Sequence, residues 1–287
     1  MNIPYSPPPF EPPSNRPIPF TQEQQPPPPP RYDGTAGRGR PWFGFGDVLL
    51  GFVFFTVVAT VGSLAGLFFV PLDDVFDFTT GDSTLELPMG FLAISLVFQQ
   101  LGQGLWPFIV SRWKGLGAVW DWRLRMTPAD LGIGVGVAVI GLAGATLASI
   151  IVSTVVDLTD DSSADNTQIL RDAEGTVWLP VILFSVIVGA PVAEELFFRG
   201  LTLRAIEKRA GKVWAVIGSA VVFTLPHFIG SDWRGTVTLF GSIFVVGLVL
   251  GAATVITNRI AGAVIAHMIF NAFGAAGALG YLDSYIP

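Results

Sequence analysis

Two adjacent glutamates, Glu194 and Glu195, close a long apolar run in the stretch APVAEELFFRGLTLRAIEKR, Ala190 to Arg209. A carboxylate at or inside a membrane boundary is costly unless it is paired or faces a wet cavity, so an ionisable residue there points first to function. Arg199 follows Glu195 by four positions, the helical spacing at which two side chains meet, and this pair neutralises one carboxylate. By that reading Glu194 keeps no partner. The chain holds only two histidines, His227 and His267, and Asn271 follows the second by one helical turn.

The chemistry this set allows is hydrolysis. A carboxylate shielded from water takes a proton from a bound water, and a neighbouring imidazole orients that water or passes the proton to a leaving amine. Glu194 and His227 have the residue types for that pair. His267 and Asn271, one turn apart, can donate two hydrogen bonds to the oxygen of a tetrahedral intermediate. Zinc is the competing reading, with Glu194, His227 and His267 as ligands and an open position for water, although no H-E-x-x-H motif occurs. A serine mechanism lacks both the G-x-S-x-G elbow and a serine spaced to either histidine. Each residue also has a plainer role: Glu195 with Arg199 as an interfacial ion pair, either histidine as an interhelical hydrogen-bonding group.

Composition names the elements that must carry these residues. Of 287 residues 51% are hydrophobic and 13% charged, and the apolar ones gather into runs long enough to cross a bilayer, so the expected fold is an all-α polytopic membrane protein. The net charge of -6 comes with no basic, aromatic-interleaved patch, which excludes a nucleic-acid partner. No cysteine is present, which excludes disulfides, thiol catalysis and thiolate metal sites.

Residues 1–41 hold most of the prolines, five of them consecutive at Pro26 to Pro30. Such a segment is expected to be a disordered cytoplasmic tail, partly polyproline II, with a proline-reading binding partner as the alternative to a merely solvated role. It has no apolar core of a signal peptide. Residues 42–287 are expected to form one helical transmembrane domain.

Arg31, Arg38 and Arg40 precede the first apolar run, Val48 to Val70, and the loop after it is acidic, so the N-terminus is expected in the cytoplasm. Further runs cover Met89 to Val110, Leu131 to Val156, Val177 to Phe198, Val213 to Ile229, Thr236 to Ile256 and Ile260 to about Leu279, seven spans in all. The third is rich in glycine (Gly132, Gly134, Gly136, Gly141, Gly144), which permits close helix contact. Multi-pass insertion in the plasma membrane follows.

The fourth and fifth runs are expected to form a hairpin turning near Ala210 and Gly211. Glu194 lies 16 residues before Ala210 and His227 lies 16 after Gly211. At the α-helical rise both stand roughly 24 Å from the turn, at one depth on neighbouring helices. His267 lies eight residues from Arg259, and thus roughly 12 Å into the membrane from the same side. Four polar residues on three helices therefore converge on the cytoplasmic half of the bilayer.

Glu194-Glu195-x-x-x-Arg199, Phe223-x-x-x-His227 and His267-x-x-x-Asn271, in that order, resemble the three motifs of the CAAX prenyl protease type II and bacteriocin-immunity family, also called Abi or CPBP proteins. The resemblance spans Glu194 to Asn271, with a family-like core at about 177–279. It implies an intramembrane endopeptidase of about eight helices with a cavity open to the cytoplasm. It also implies Glu194 as general base acting with His227, His267 and Asn271 as the oxyanion-stabilising pair, and metal-independent catalysis. The implied substrates are membrane-embedded or lipidated peptides, CAAX-type among them. Two other classes stand beside this one: a non-proteolytic immunity or scaffold protein that binds in the same cavity, and a proton-coupled carrier, which the missing inverted repeat disfavours.

Overall fold

The structure is a computed structural model that describes residues 42–69, 88–156, 167–227 and 233–282. The Pro-rich tail expected at 1–41 lies outside the described residues, as do most of the acidic residues of the two loops. Among the described residues every regular element is helical. Six stretches of the described residues are long and apolar enough to cross a membrane, which makes this a multi-pass membrane protein. They are α1 (Phe45–Gly66), α2 (Met89–Lys114), α3 (Ala129–Val156), α4 (Leu179–His227), α5 (Trp233–Thr257) and α6 (Ala261–Ala278).

The fourth and fifth of the seven expected runs lie almost wholly within α4. At Gly211 the backbone leaves the helix with φ 80° and ψ 177°, a conformation that glycine adopts without the Cβ penalty. Beyond it the chain folds back on itself. A Cβ on Gly218 would lie 2.9 Å from the Ile206 side chain, a closeness impossible along one straight helix for residues 12 apart. The first arm of α4 packs on α2 and α6, and its second arm on α5.

Between lipid-facing helices the attraction is close packing and hydrogen bonding more than hydrophobic transfer, since lipid tails are as apolar as leucine. Glycines provide the approach. A Cβ on Gly134 would meet Ile265 at 2.5 Å and one on Gly141 would meet Phe270 at 2.2 Å, so α3 seats two side chains of α6. Gly132 and Gly136 face open space instead. Thus only part of the glycine stripe serves helix contact.

Buried aromatics join α1, the segment after α2 and both arms of α4: Phe55, Trp122, Phe197, Phe198 and Phe223 form one cluster with Phe43. Polar knots fix the helix ends around it. Asp47 accepts hydrogen bonds from the Gly44 amide at 2.9 Å and from Lys114 at 2.5 Å. Asp121 collects the Ser111 hydroxyl and the amides of Leu116 and Gly117. Asp130, fully buried at the start of α3, holds Arg259 through Nε at 3.1 Å and Nη2 at 2.9 Å, which ties α3 to the turn that begins α6.

Candidate active site

The first arm of α4 is not a regular α-helix, and Pro191 gives the local reason. Proline has no N–H, so the carbonyl four residues back loses its donor and the ring crowds the preceding turn. The chain widens there into a π-helical segment, Ser185–Gly189, in which the Ala190 amide reaches back to the Ser185 carbonyl. A short α-helical stretch, Ala190–Glu194, follows. A second π-helical segment, Glu195–Thr202, then closes with the Leu203 amide on the Phe198 carbonyl and the Thr202 hydroxyl on the Phe197 carbonyl at 3.0 Å. Wide turns of this kind recur at functional sites because they re-aim side chains. Here Glu194 lies between them and Glu195 opens the second.

Glu195 is completely buried. Its Oε1 accepts from Arg199 Nη1 at 2.8 Å and from His267 Nδ1 at 2.9 Å. Arg199, equally buried, donates through Nη2 to the Gly247 carbonyl of α5 at 3.3 Å and lies over the Phe223 ring, 4.3 Å from its centroid. Because the carboxylate accepts, His267 carries its proton on Nδ1 and presents Nε2 on the opposite edge of the ring. That nitrogen stands 3.7 Å from Oε2 of Glu194, whose side chain is 18% exposed. Arg199, Glu195, His267 and Glu194 therefore form a chain from a sealed interior to an accessible carboxylate. Two atoms in it, Glu195 Oε2 and Arg199 Nε, are buried without a hydrogen-bond partner.

The remaining residues singled out by spacing lie around this chain. His227, half-buried at the end of α4, turns Nδ1 to the Phe223 carbonyl at 3.0 Å, which leaves Nε2 as its basic nitrogen. The Phe223 ring stands beside both imidazoles, with centroids 5.2 Å from His227 and 5.7 Å from His267. Glu194 makes no hydrogen bond or ion pair with His227; its ionic partner among the described residues is His267. Asn271 donates Nδ2 to the Val186 carbonyl at 2.7 Å, which leaves its second amide hydrogen for another acceptor.

These pairings differ from those the spacing suggested. The expectation of an unpartnered Glu194 rested on Arg199 being taken by Glu195, and His267 instead stands within reach of both carboxylates. The Glu195–Arg199 pair is a sealed interior bond where an interfacial one was expected. Among the described residues no three of His, Asp and Glu converge to hold a metal ion. Glu194, His227 and His267 do not form a ligand set, with the Phe223 ring beside both imidazoles. Sequence reasoning passed over three contributors. Pro191 signals the wide turn, Gly247 brings a carbonyl to Arg199, and Gln100 in the apolar interior of α2 donates to the Ser185 carbonyl at 3.1 Å.

Residues 176–273 match the family described as Rce1-like, type II CAAX prenyl endopeptidase Rce1-like. No curated protein and no solved structure matches the chain. The matched segment holds both arms of α4, α5 and most of α6, and with them every residue of the buried chain. This part of the protein is a domain of the type II CAAX prenyl endopeptidase family, also known as CPBP or Abi.

Proposed function

We propose that this protein is an intramembrane endopeptidase that hydrolyses peptide bonds of membrane-embedded or lipidated substrates. The observation that carries the reading is the placement of His267, whose two nitrogens face the two adjacent carboxylates at 2.9 and 3.7 Å. A structural ion pair needs one carboxylate and one cation. Here a second carboxylate, the more accessible one, is added across an imidazole.

Glu194 takes one proton from a water molecule, and the water oxygen bonds to the scissile carbonyl carbon. The carbonyl oxygen becomes an oxyanion, which an N–H at His267 Nε2 and the free Asn271 amide hydrogen stabilise. His227 Nε2 orients that water, and the proton taken up by Glu194 passes to the leaving amine as the C–N bond breaks. Arg199 holds the Glu195 carboxylate in place through its 2.8 Å bond without touching substrate.

Each arm of α4 counts as one span in this reading. That gives seven spans, an N-terminus in the cytoplasm, a domain over residues 42–287 behind a Pro-rich tail at 1–41, and residence in the plasma membrane. Single cysteines test the topology without background, and Ala210→Cys is expected to label from the cytoplasmic side only.

The functional test is cleavage of a panel of labelled transmembrane and farnesylated CAAX peptides by purified protein, with and without chelator. Cleavage that survives chelator and disappears in Glu194→Ala and His227→Ala supports the proposal. Cleavage abolished by chelator and restored by zinc overturns the mechanism. A binding-only role as an immunity or scaffold protein draws on one feature, the internal pairing of His267 and Asn271. It requires that Glu194→Ala keep full cellular function.

A further inference from the structure

At the wide turn ahead of the glutamates two side chains from different helices bond backbone oxygens, one of which has no backbone donor. In Ser185–Gly189 the Ala190 amide bonds the Ser185 carbonyl, and Pro191, next in line, has no N–H to offer. The Val186 carbonyl is thus without its regular helical donor. Asn271 Nδ2, from α6, supplies that donor at 2.7 Å. On the α2 side Gln100 Nε2 donates to the Ser185 carbonyl at 3.1 Å, and Gln100 Oε1 lies where a Cβ on Gly189 would come within 2.2 Å. One turn further along, Gly104 of α2 meets Ala193, the residue before Glu194.

We propose that Gln100 is a positioning residue for Glu194: with Asn271 opposite, it clips the wide turn at Ser185–Gly189 and so fixes the rotation at which α4 presents the carboxylate. A π-helical turn interconverts with an α-helical one by shifting every later side chain around the helix axis, which makes the turn a point where the direction of Glu194 is set. Two carboxamide bonds hold it, one to the Val186 carbonyl that lacks a helical donor and one added to the Ser185 carbonyl, and in a low-dielectric surrounding such bonds are strong. A glutamine inside a membrane span is costly, and this contact explains its presence. The role of Gln100 as a catalytic aid rests on the peptidase reading, whereas the clip itself does not.

The test separates the two. Glu194→Cys gives the otherwise cysteine-free chain a single thiol at the site, and its alkylation rate by N-ethylmaleimide is measured in nanodiscs with and without Gln100→Leu. The expected result is a several-fold change in rate with Gln100→Leu and with the closer isostere Gln100→Met, and none with Gln99→Leu on the exposed side of α2. With Glu194 intact, Gln100→Leu is expected to lower kcat for the cleaved peptides by about 10- to 100-fold with KM moved less than about two-fold. An alkylation rate that ignores Gln100 overturns the proposal, and so does a loss confined to KM. A changed rate in a protein that cleaves no peptide upholds the clip and counts against the peptidase reading alone.

Discussion

His267 Nδ1 lies 2.9 Å from Glu195 Oε1, a hydrogen bond between residues 72 positions apart that joins α6 to the first arm of α4. It gives neighbouring glutamates opposite duties. One is buried and bonded twice; the other keeps access to the site.

The two glutamates should therefore fail differently. Glu194→Gln is expected to abolish cleavage, by about a hundred- to ten-thousand-fold, with little change in thermal stability. Glu195→Gln leaves the buried Arg199 without its carboxylate and should cost about 3–5 kcal/mol. Thermal unfolding in detergent beside peptide cleavage separates the cases. Equal loss of stability in both variants would remove the division of roles.

Pro191→Ala restores an N–H at the point where the helix widens. The turn at Ser185–Gly189 is then free to close to α-helical geometry, which should hold or raise stability while rotating Glu194 away from His267. Activity is expected to fall with an unchanged or higher melting temperature. Full activity in this variant would show that the wide turn does not set the carboxylate.

Asp130 and Arg259 pin the start of the helix that carries His267. Arg259→Met strands a buried carboxylate, which keeps only the amide and hydroxyl of Thr127, so the expected cost is about 2 kcal/mol. Asp130→Asn with Arg259→Met should recover much of it, as a double-mutant cycle can measure. Simple additivity of the two losses would deny the coupling.

Gly247→Ala places a methyl 3.0 Å from the Ala220 Cβ and 3.1 Å from its Cα, where backbone cannot yield cheaply. The expected cost is about 1–3 kcal/mol, with a fall in kcat because the Gly247 carbonyl shifts from Arg199. A variant with unchanged stability and kcat would mean that α5 can move away without disturbing the pair.

The folding back of α4 was readable because Gly211 stands among charged residues between two apolar runs. The spacing also put Glu194, His227 and His267 near one depth, and the structure brings Glu194 within ion-pair reach of His267 with the Phe223 ring beside both imidazoles. The partner of Glu194 was not readable. Counting at 3.6 residues per turn assumes a regular helix, and two π-helical segments, one ahead of the glutamates and one beginning at Glu195, break that count. Nor could spacing foresee that Asn271 would bond Val186, since that acceptor exists only once Pro191 has removed a donor.

By itself the sequence determined that the chain is helical and crosses a membrane, because hydrocarbon admits no unpaired backbone and the apolar runs have bilayer length. It also determined which few polar side chains must find one another there. Only the tertiary structure decided who pairs with whom. Pairing depends on side-chain direction, which the wide turns of α4 and the close approach of α5 and α6 set, and those follow from contacts between residues far apart in the chain.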